Sequence, residues 1–189
     1  MIGLSGYARS GKDSAEAIIR ARFTGLGARS ARFAFADALK RMADPFLQKT
    51  LGISAWTKVS EEKKIIRPFL VGLGESCRAL DPSFWVKKLA PSILASIEKQ
   101  LFMPIITDVR YKNEAEWVKS LGGIIVYIGR EGVGPANDEE ARTVPEVAAM
   151  ADHKFFLPNF REDQVEKGSE AILAPLLDGF PLDKLAPYR

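Results

Sequence analysis

The feature that most constrains the fold is a short apolar run that leads directly into a loop with two glycines and then into a helix. Residues 1–4 are apolar, and the loop that follows reads GYARSGKDS, in which four residues separate Gly6 from Gly11. Beyond the loop, apolar residues such as Ile19 and Phe23 recur at helical spacing. A strand, a glycine-bearing loop and an amphipathic helix are therefore predicted in that order.

The composition of this loop is that of a phosphate-binding loop. Glycine at both ends permits positive φ and leaves no side chain in the way, so successive N–H groups are expected to turn inward around a phosphate. The helix beginning near Lys12 adds the positive end of its dipole, and Lys12 is expected to reach the β- and γ-phosphates of ATP. The predicted ATP-binding residues of the loop are Gly6, Arg9, Ser10, Gly11, Lys12, Asp13 and Ser14.

Asp13 stands where such loops usually carry a hydroxyl that ligates Mg²⁺, and Ser14 supplies the next hydroxyl. A carboxylate is a hard oxygen ligand, so Asp13 is predicted to hold Mg²⁺ directly or through a water. The alternative is that Asp13 only favours the first turn of its helix, where negative charge is stabilising.

Segments that read as strands alternate with helical patterns along the chain, at residues 1–4, 30–35, 103–107, 124–128 and 154–157. Residues 30–35 alternate polar and apolar side chains, while the run at residues 124–128 is almost continuously apolar. The alternation of strands with helices predicts a parallel sheet covered on both faces, with ligands at the carboxyl ends of the strands. The predicted fold is α/β, a three-layer α/β/α arrangement with a central parallel five-stranded sheet, in one domain over residues 1–189.

The segments between the strands are of different kinds. Residues 52–65 read as a polar surface excursion, followed by helices at residues 66–80 and from Pro82 onward. Residues 129–142 are rich in glycine, proline and charge, and a lid-like loop is predicted at about residues 129–150.

Two charged residues follow the third predicted strand. Asp108 lies at its carboxyl end, where a carboxylate is expected to hold a water of the Mg²⁺ shell, and Arg110 is expected to reach transferring phosphates. The alternative is that Asp108 caps the following helix while Arg110 pairs with Glu114. We predict Lys12, Asp108 and Arg110 as catalytic residues and Asp13 and Asp108 as metal ligands.

If the chain transfers phosphate from ATP to an acceptor molecule, the acceptor is expected to bind in a helical region at about residues 37–100. Asp37 is expected to bind the acceptor sugar or base, with Lys40 one helical turn away aimed at phosphate, or else Asp37 is an ordinary helix N-cap. Arg78 is expected to bind the acceptor phosphate, or else to pair with Asp81. Trp85 either stacks on the acceptor base or lies in the core.

Composition excludes several other kinds of site. The chain of 189 residues has one cysteine and one histidine, so it cannot form an internal disulfide or a Cys/His zinc site. No apolar run approaches the roughly 20 residues of a membrane span, and a cytoplasmic protein is expected. The net charge of +3 permits anionic partners without selecting among them. Nucleic-acid binding is a minority expectation, and the helix surface at residues 82–99 offers a possible homodimer contact.

Three stretches together resemble the bacteriophage deoxynucleoside monophosphate kinases, which have the P-loop NTPase fold of the nucleoside monophosphate kinases. They are GYARSGKDS, LGESCRALDPSFWVKKL at residues 73–89 and ITDVRYKNEAEWVKSLGGIIVYIGR at residues 106–130. The resemblance implies transfer of the ATP γ-phosphoryl group to a deoxynucleoside monophosphate, with Mg²⁺ required. It favours a substrate role for Arg78, and Arg130 is predicted to bind ATP.

Two other functions stay open at this point. A dephospho-coenzyme A kinase, or another small-metabolite kinase of the same fold, differs only in its acceptor. A nucleic-acid-stimulated ATPase fits the sequence pI of 9.0. A regulatory GTP-binding switch is excluded in practice, because its guanine-binding N/T-K-x-D element has no counterpart in a late strand.

Overall fold

The computed structural model describes residues 1–159 and 165–188 and divides into two compact units. The first unit comprises Met1–Phe33 and Ser92–Arg189, and the second comprises Ala34–Pro91. The strands are β1 Ile2–Ser5, β2 Ser30–Phe33, β3 Met103–Ile106, β4 Ile124–Arg130 and β5 His153–Leu157. The helices are α1 Lys12–Gly25, α2 Phe35–Leu51, α3 Ser60–Leu80, α4 Phe84–Glu98, α5 Lys112–Ser120, α6 Asp138–Ala149 and α7 Val165–Asp178.

The strands form one five-stranded sheet in the order β2-β3-β1-β4-β5. Every neighbouring pair is parallel, and β1 sits in the middle, with Ile2 opposite Ile105 of β3 and Ile124 of β4. The central strands β1, β3 and β4 are buried almost throughout and read as mainly apolar runs, whereas the edge strands β2 and β5 are partly exposed. The predicted parallel five-stranded sheet is confirmed.

Helices cover the sheet on both faces, as the predicted three-layer arrangement requires. On one face, α1 and α7 pack on the strands, and Ile19, Phe23 and Leu176 join Ile2 and Leu4 in one buried core. On the other face lie α5 and α6. The first unit therefore holds the whole sheet with a helical layer on each side.

The second unit is helical and has a small core of its own. α2 and α3 pack together, with Ala43, Leu47, Ala55 and Ile66 buried between them. No helix in the described parts of the chain is both long enough and apolar enough to cross a bilayer.

Two segments differ from the sequence-based expectations. The segment predicted as a polar excursion up to residue 65 already contains the first turn of α3, which begins at Ser60 with Glu61 and Glu62 in that turn. Acidic residues stabilise a helix start through its dipole, so a polar stretch of this kind is compatible with helix.

The predicted loop at residues 129–150 contains α6. The helix begins after Asn137, whose side chain accepts a hydrogen bond from the Glu140 N–H at 2.9 Å. An asparagine followed three residues later by glutamate is a helix-start pattern, and it outweighs the glycine and proline content of the preceding segment. The expectation of an uninterrupted loop is therefore wrong, while closure of this segment over ATP stays a prediction.

Candidate active site

The glycine-bearing loop folds into a tight turn between β1 and α1. Backbone φ is positive at Gly6 (142°), Arg9 (65°) and Gly11 (100°). A Cβ on Gly6 would lie 2.1 Å from the carbonyl oxygen of Ile128, and one on Gly11 would lie 2.7 Å from Leu157 Cδ1. Both positions need glycine, because the backbone conformation and the available space each disfavour a side chain. The loop is compact, as a phosphate-binding loop must be.

Lys12 closes this turn from the start of α1. Its ammonium group donates hydrogen bonds to the carbonyl oxygens of Gly6 at 2.7 Å and Tyr7 at 2.6 Å. Burial, with a smaller effect from the positive charge of Arg110, lowers the pKa of Lys12 to about 8. Three carboxylates act on the same pKa in the opposite direction, those of Glu140, Asp13 and Asp108. The structure thus gathers two cations and three anions around one loop.

Two of these carboxylates are the predicted metal ligands. Asp13 is exposed in the first turn of α1, and Asp108 follows β3 by two residues. In the described residues, no cluster of three or more His, Cys, Asp or Glu side chains is able to hold a metal by itself. Mg²⁺ is usually bound through one or two carboxylates together with water and substrate phosphates. The pair Asp13 and Asp108 fits that donor set.

Two serines contribute hydroxyls to the loop. Ser10 is fully buried, and its hydroxyl has no hydrogen-bond partner among the described residues. Its backbone N–H donates to the Tyr7 carbonyl at 3.2 Å, which fixes the residue inside the turn. Ser14 is half-buried in the first turn of α1. A buried hydroxyl normally has a partner, so Ser10 retains hydrogen-bonding capacity within the predicted ATP-binding loop.

Arg110 is held by two different glutamates. Its backbone N–H donates to Glu114 Oε2 at 2.9 Å, and the Tyr111 N–H donates to the same oxygen at 3.1 Å, so that Glu114 fixes the start of α5. The guanidinium pairs with Glu140, with 3.2 Å between Nη1 and Oε1. Glu114 thus contacts the backbone of Arg110, while the guanidinium reaches the charges around Lys12. The N-cap of α5 is Tyr111, so the alternative in which Asp108 caps this helix is wrong.

Glu140 lies beside the predicted site residues, although it was not predicted from the sequence. Its carboxylate is 1% exposed, and Oε2 accepts hydrogen bonds from the N–H groups of Ala8, in the glycine-bearing loop, and Ala136, each at 3.1 Å. The helix-start pattern with Asn137 was a signal for its position in α6. Its contact with a residue 132 positions away in sequence was not predictable from local pattern.

Two further arginines were predicted to bind ATP. Arg130 ends β4, and its Nη2 lies 3.3 Å from Asn159 Oδ1, just beyond β5. Arg9 is exposed in the loop. Both are at the carboxyl edge of the sheet, where ligands of parallel α/β folds bind.

The other four predicted residues belong to the second unit. Asp37 lies in the first turn of α2, whose N-cap is Ala34, so the alternative in which Asp37 is the N-cap is wrong. The helix begins at Phe35, before the expected N-cap, and both Phe35 and Ala38 of its first turns are buried. Lys40 places its ammonium 5.0 Å from the centroid of the Trp56 ring, in a cation–π contact.

Arg78 and Trp85 both lie close to Gly74 of α3. A Cβ on Gly74 would be 3.4 Å from Arg78 Nη1, and the indole N–H of Trp85 donates to the Gly74 carbonyl at 3.2 Å. Asp81, the alternative partner of Arg78, pairs with Lys87 at 2.7 Å. Trp85 is 2% exposed, and this burial favours its core alternative over stacking on a base.

Comparison with protein families identifies a family whose model matches this chain. A model of the deoxynucleotide monophosphate kinase family matches residues 46–143, just over half of the chain. Among curated proteins, the uncharacterized protein ORF77 of Ictalurid herpesvirus 1 (strain Auburn) is 38% identical over 69 residues, which cover 36% of this chain. The matched part spans only 30% of that relative's length.

Solved structures of similar fold include a dephospho-CoA kinase from Campylobacter jejuni. It is 14% identical, with a TM-score of 0.50 over 94% of this chain and 97% of its own. TT1252 from Thermus thermophilus is 15% identical, with a TM-score of 0.47 over 95% of this chain and 97% of its own. At this level of identity the first likeness shows only that the two chains share a fold.

Proposed function

This chain belongs to the deoxynucleotide monophosphate kinase family, and from that premise we propose that it transfers the γ-phosphoryl group of ATP to a deoxynucleoside monophosphate. An oxygen of the acceptor phosphate forms a bond to the γ-phosphorus while the bond between that phosphorus and the β,γ-bridging oxygen breaks. The products are a deoxynucleoside diphosphate and ADP. The chain is thus a phosphotransferase, and the identity of its acceptor is the part that is proposed.

The observation that carries the proposal is the gathering of Lys12, Arg110 and two aspartates around the glycine-bearing loop. Phosphoryl transfer requires mainly that the protein position the reacting groups and place positive charge near the phosphate oxygens. In the proposed reaction, the loop amides bind the phosphates of ATP, and Lys12 and Arg110 neutralise charge on the transferring group. The proposed ATP-binding residues are Gly6, Arg9, Ser10, Gly11, Lys12, Asp13, Ser14 and Arg130.

Mg²⁺ is proposed as the cofactor, with Asp13 and Asp108 as the side chains that hold it or its water ligands. When bound, Mg²⁺ would neutralise part of the charge on the ATP phosphates. When Mg²⁺ is absent, Asp13 is expected to weaken ATP binding, because an exposed carboxylate in the first turn of α1 repels the phosphates.

Acceptor binding is proposed for Asp37, Lys40 and Arg78 of the second unit. Arg78 is the preferred phosphate ligand, since a guanidinium forms bidentate contacts with phosphate oxygens. Asp37 is proposed to bind the sugar or base. Trp85 is proposed to support this region by packing, because its indole is buried.

A coupled assay of ADP release tests the proposal. Purified protein with ATP and Mg²⁺ is given each nucleoside monophosphate in turn, deoxy and ribo, and the products are separated by chromatography. We expect a deoxynucleoside monophosphate to yield equal amounts of ADP and diphosphate, with loss of activity in Lys12→Ala. Lys64→Ala is the control, since Lys64 lies in an exposed ion pair with Glu61.

Two results would overturn the acceptor assignment. Turnover with dephospho-coenzyme A and with no nucleoside monophosphate would point to a small-metabolite kinase. ATP hydrolysis that rises with added DNA, with no phosphorylated nucleotide, would point to a nucleic-acid-stimulated ATPase.

The role of Asp13 is tested by titrating Mg²⁺ against ADP binding in the wild type and in Asp13→Ser. We expect nucleotide affinity to depend on Mg²⁺ more steeply in the wild type, because Asp13 repels the nucleotide when the cation is absent. Asp183→Asn, which removes another exposed acid, should match the wild type. Equal dependence in wild type and Asp13→Ser would mean that Asp13 is not near the metal.

A further inference from the structure

We propose that Glu140 is a positioning residue for phosphoryl transfer, whose buried carboxylate holds the Arg110 guanidinium and the Ala8 amide in place beside the glycine-bearing loop. This inference rests on the proposed function and assigns a role to a residue outside the predicted site. Glu140 acts through Arg110 and the loop, and it is not proposed to touch ATP.

The contacts of Glu140 join three separate parts of the first unit. Oε1 pairs with Arg110, which follows β3, at 3.2 Å. Oε2 accepts from Ala8, in the loop after β1, and from Ala136, which precedes α6. A single side chain therefore fixes the positions of the loop, the catalytic arginine and the start of a helix relative to one another.

The burial of this carboxylate indicates that its position is specific. The side chain is 1% exposed, and a buried carboxylate is costly unless it is paired and hydrogen-bonded. Burial raises the pKa of Glu140, but hydrogen bonds from Ala136 and Ala8 and the charges of Arg110 and Lys12 more than offset this effect and lower the pKa. The carboxylate is therefore ionised at neutral pH.

The charge of Glu140 also explains how two cations stay near each other. Arg110 and Lys12 repel each other, and the charge of Arg110 therefore lowers the pKa of Lys12. The charge of Glu140 acts in the opposite direction and raises that pKa. The Arg110 side chain is 33% exposed, so without an anionic partner it is free to turn toward solvent. A guanidinium has five N–H donors, and pairing through Nη1 leaves others for a phosphate.

Two other roles make different predictions. A purely structural role would have Glu140 stabilise the start of α6 and nothing else. In a blocking role, the carboxylate would occupy the place of a phosphate oxygen at the Ala8 amide and would leave when ATP binds. The first predicts loss of stability without a specific kinetic effect, and the second predicts tighter nucleotide binding when the charge is removed.

Glu140→Gln is the informative variant, because its amide oxygen can still accept from Ala8 and Ala136 while the charge that holds Arg110 is lost. We expect kcat to fall about 100-fold, the size of effect that misplacing a catalytic group by about 1 Å can have. KM for ATP and the affinity for ADP should stay close to wild type, whereas the melting temperature should fall, because the folded state stabilises the ionised form of this carboxylate. Asp138→Asn is the matched control, since it removes an exposed acid from the same turn of α6.

A double-mutant cycle tests whether the effect passes through Arg110. In an Arg110→Ala background, Glu140→Gln should cause little further loss of kcat, because the group that it positions is gone. Losses that multiply in the double mutant would overturn the proposal. Three results for Glu140→Gln would also overturn it. They are a kcat equal to that of the wild type, a tighter affinity for ADP, and a fall in melting temperature that Asp138→Asn shows as well.

Binding of ADP with aluminium fluoride, an analogue of the transferring phosphoryl group, supplies a readout that needs no acceptor. Glu140→Gln should bind ADP like the wild type and the aluminium fluoride complex more weakly, and equal affinity for that complex would count against positioning. A wild-type protein that binds the complex but phosphorylates no nucleotide would contradict only the proposed function.

Discussion

Among the glycines for which the structure describes the surroundings, Gly6 is the one where an added Cβ would lie closest to another atom. Its φ of 142° is in the region that favours glycine, and a Cβ there would lie 2.1 Å from the Ile128 carbonyl oxygen. We expect Gly6→Ala to cost about 1–3 kcal/mol from backbone strain alone, with a further cost from this overlap and loss of ADP binding. Urea denaturation measures the loss of stability, and calorimetric titration with ADP measures the loss of binding.

The control for this prediction is Gly72→Ala. Gly72 lies inside α3 with no atom within 4 Å of an added Cβ, so alanine should stabilise the helix by about 0.5–1 kcal/mol. Wild-type stability and ADP affinity in Gly6→Ala would contradict the assigned geometry.

At the same scale, the residues predicted from sequence and those missed differ in the range of their interactions. Gly6, Gly11 and Lys12 form a local pattern, so their spacing was enough to predict the loop. Glu140 depends on contacts with Ala8 and Arg110, which a single sequence does not encode in any local pattern.

At the scale of secondary-structure elements, Asp152 joins β4 to the turn before β5. Oδ2 accepts from the Ile125 N–H at 2.7 Å, and Oδ1 pairs with Lys119 of α5 at 2.9 Å. Burial raises the pKa of Asp152, but the Ile125 N–H and the Lys119 ammonium more than offset this effect, so the pKa is lowered. The stabilisation is fully present above the ordinary Asp pKa of about 3.9 and is lost as pH falls through the lower folded value.

We therefore expect Asp152→Asn to reduce the free energy of unfolding at pH 7 by about 1 kcal/mol, a modest value because solvent screens the exposed ion pair. Near pH 3 the difference from wild type should shrink. Urea denaturation at both pH values measures it, with Asp183→Asn as an exposed control. A difference that grows on acidification would contradict the sign of the pKa shift.

Helix boundaries were predicted less well than the elements themselves. The central strands β1 and β3 are buried throughout and β4 is nearly so, and β2 alternates polar and apolar residues, so these strands could be located from the sequence. In contrast, α3 and α6 begin in polar, acidic segments. Acidic residues are common both in loops and in the first turn of helices, so composition alone does not separate the two. In α6, the hydrogen bond from the Glu140 N–H to the Asn137 side chain marks the start of the helix.

At the scale of the whole molecule, the segment after α7 completes the core of the first unit. Leu185 is fully buried in that core, Phe180 packs on Phe23 with ring centroids 5.1 Å apart, and the Arg29 N–H donates to the Tyr188 carbonyl at 2.8 Å. We expect Leu185→Ala to lower the free energy of unfolding by about 2–5 kcal/mol, the usual cost of deleting a buried leucine side chain.

Chemical denaturation of Leu185→Ala measures this loss. Leu80→Ala is the control, because Leu80 is 88% exposed and its substitution should change stability by less than about 0.5 kcal/mol. Similar effects of the two substitutions would mean that the segment after α7 does not belong to the core.

The fold class was predictable because strands alternate with helices, but neither the packing of the segment after α7 nor the order of the strands follows from that alternation.

The central position of β1 has a consequence for the nascent chain on the ribosome. β1 is synthesised before both of its neighbours, because Ile2 pairs with Ile105 and Ile124, which come later in the chain. Translation must therefore pass β3 before β1 has one neighbouring strand and β4 before it has both, and until β3 is made this apolar strand has neither neighbour to pair with.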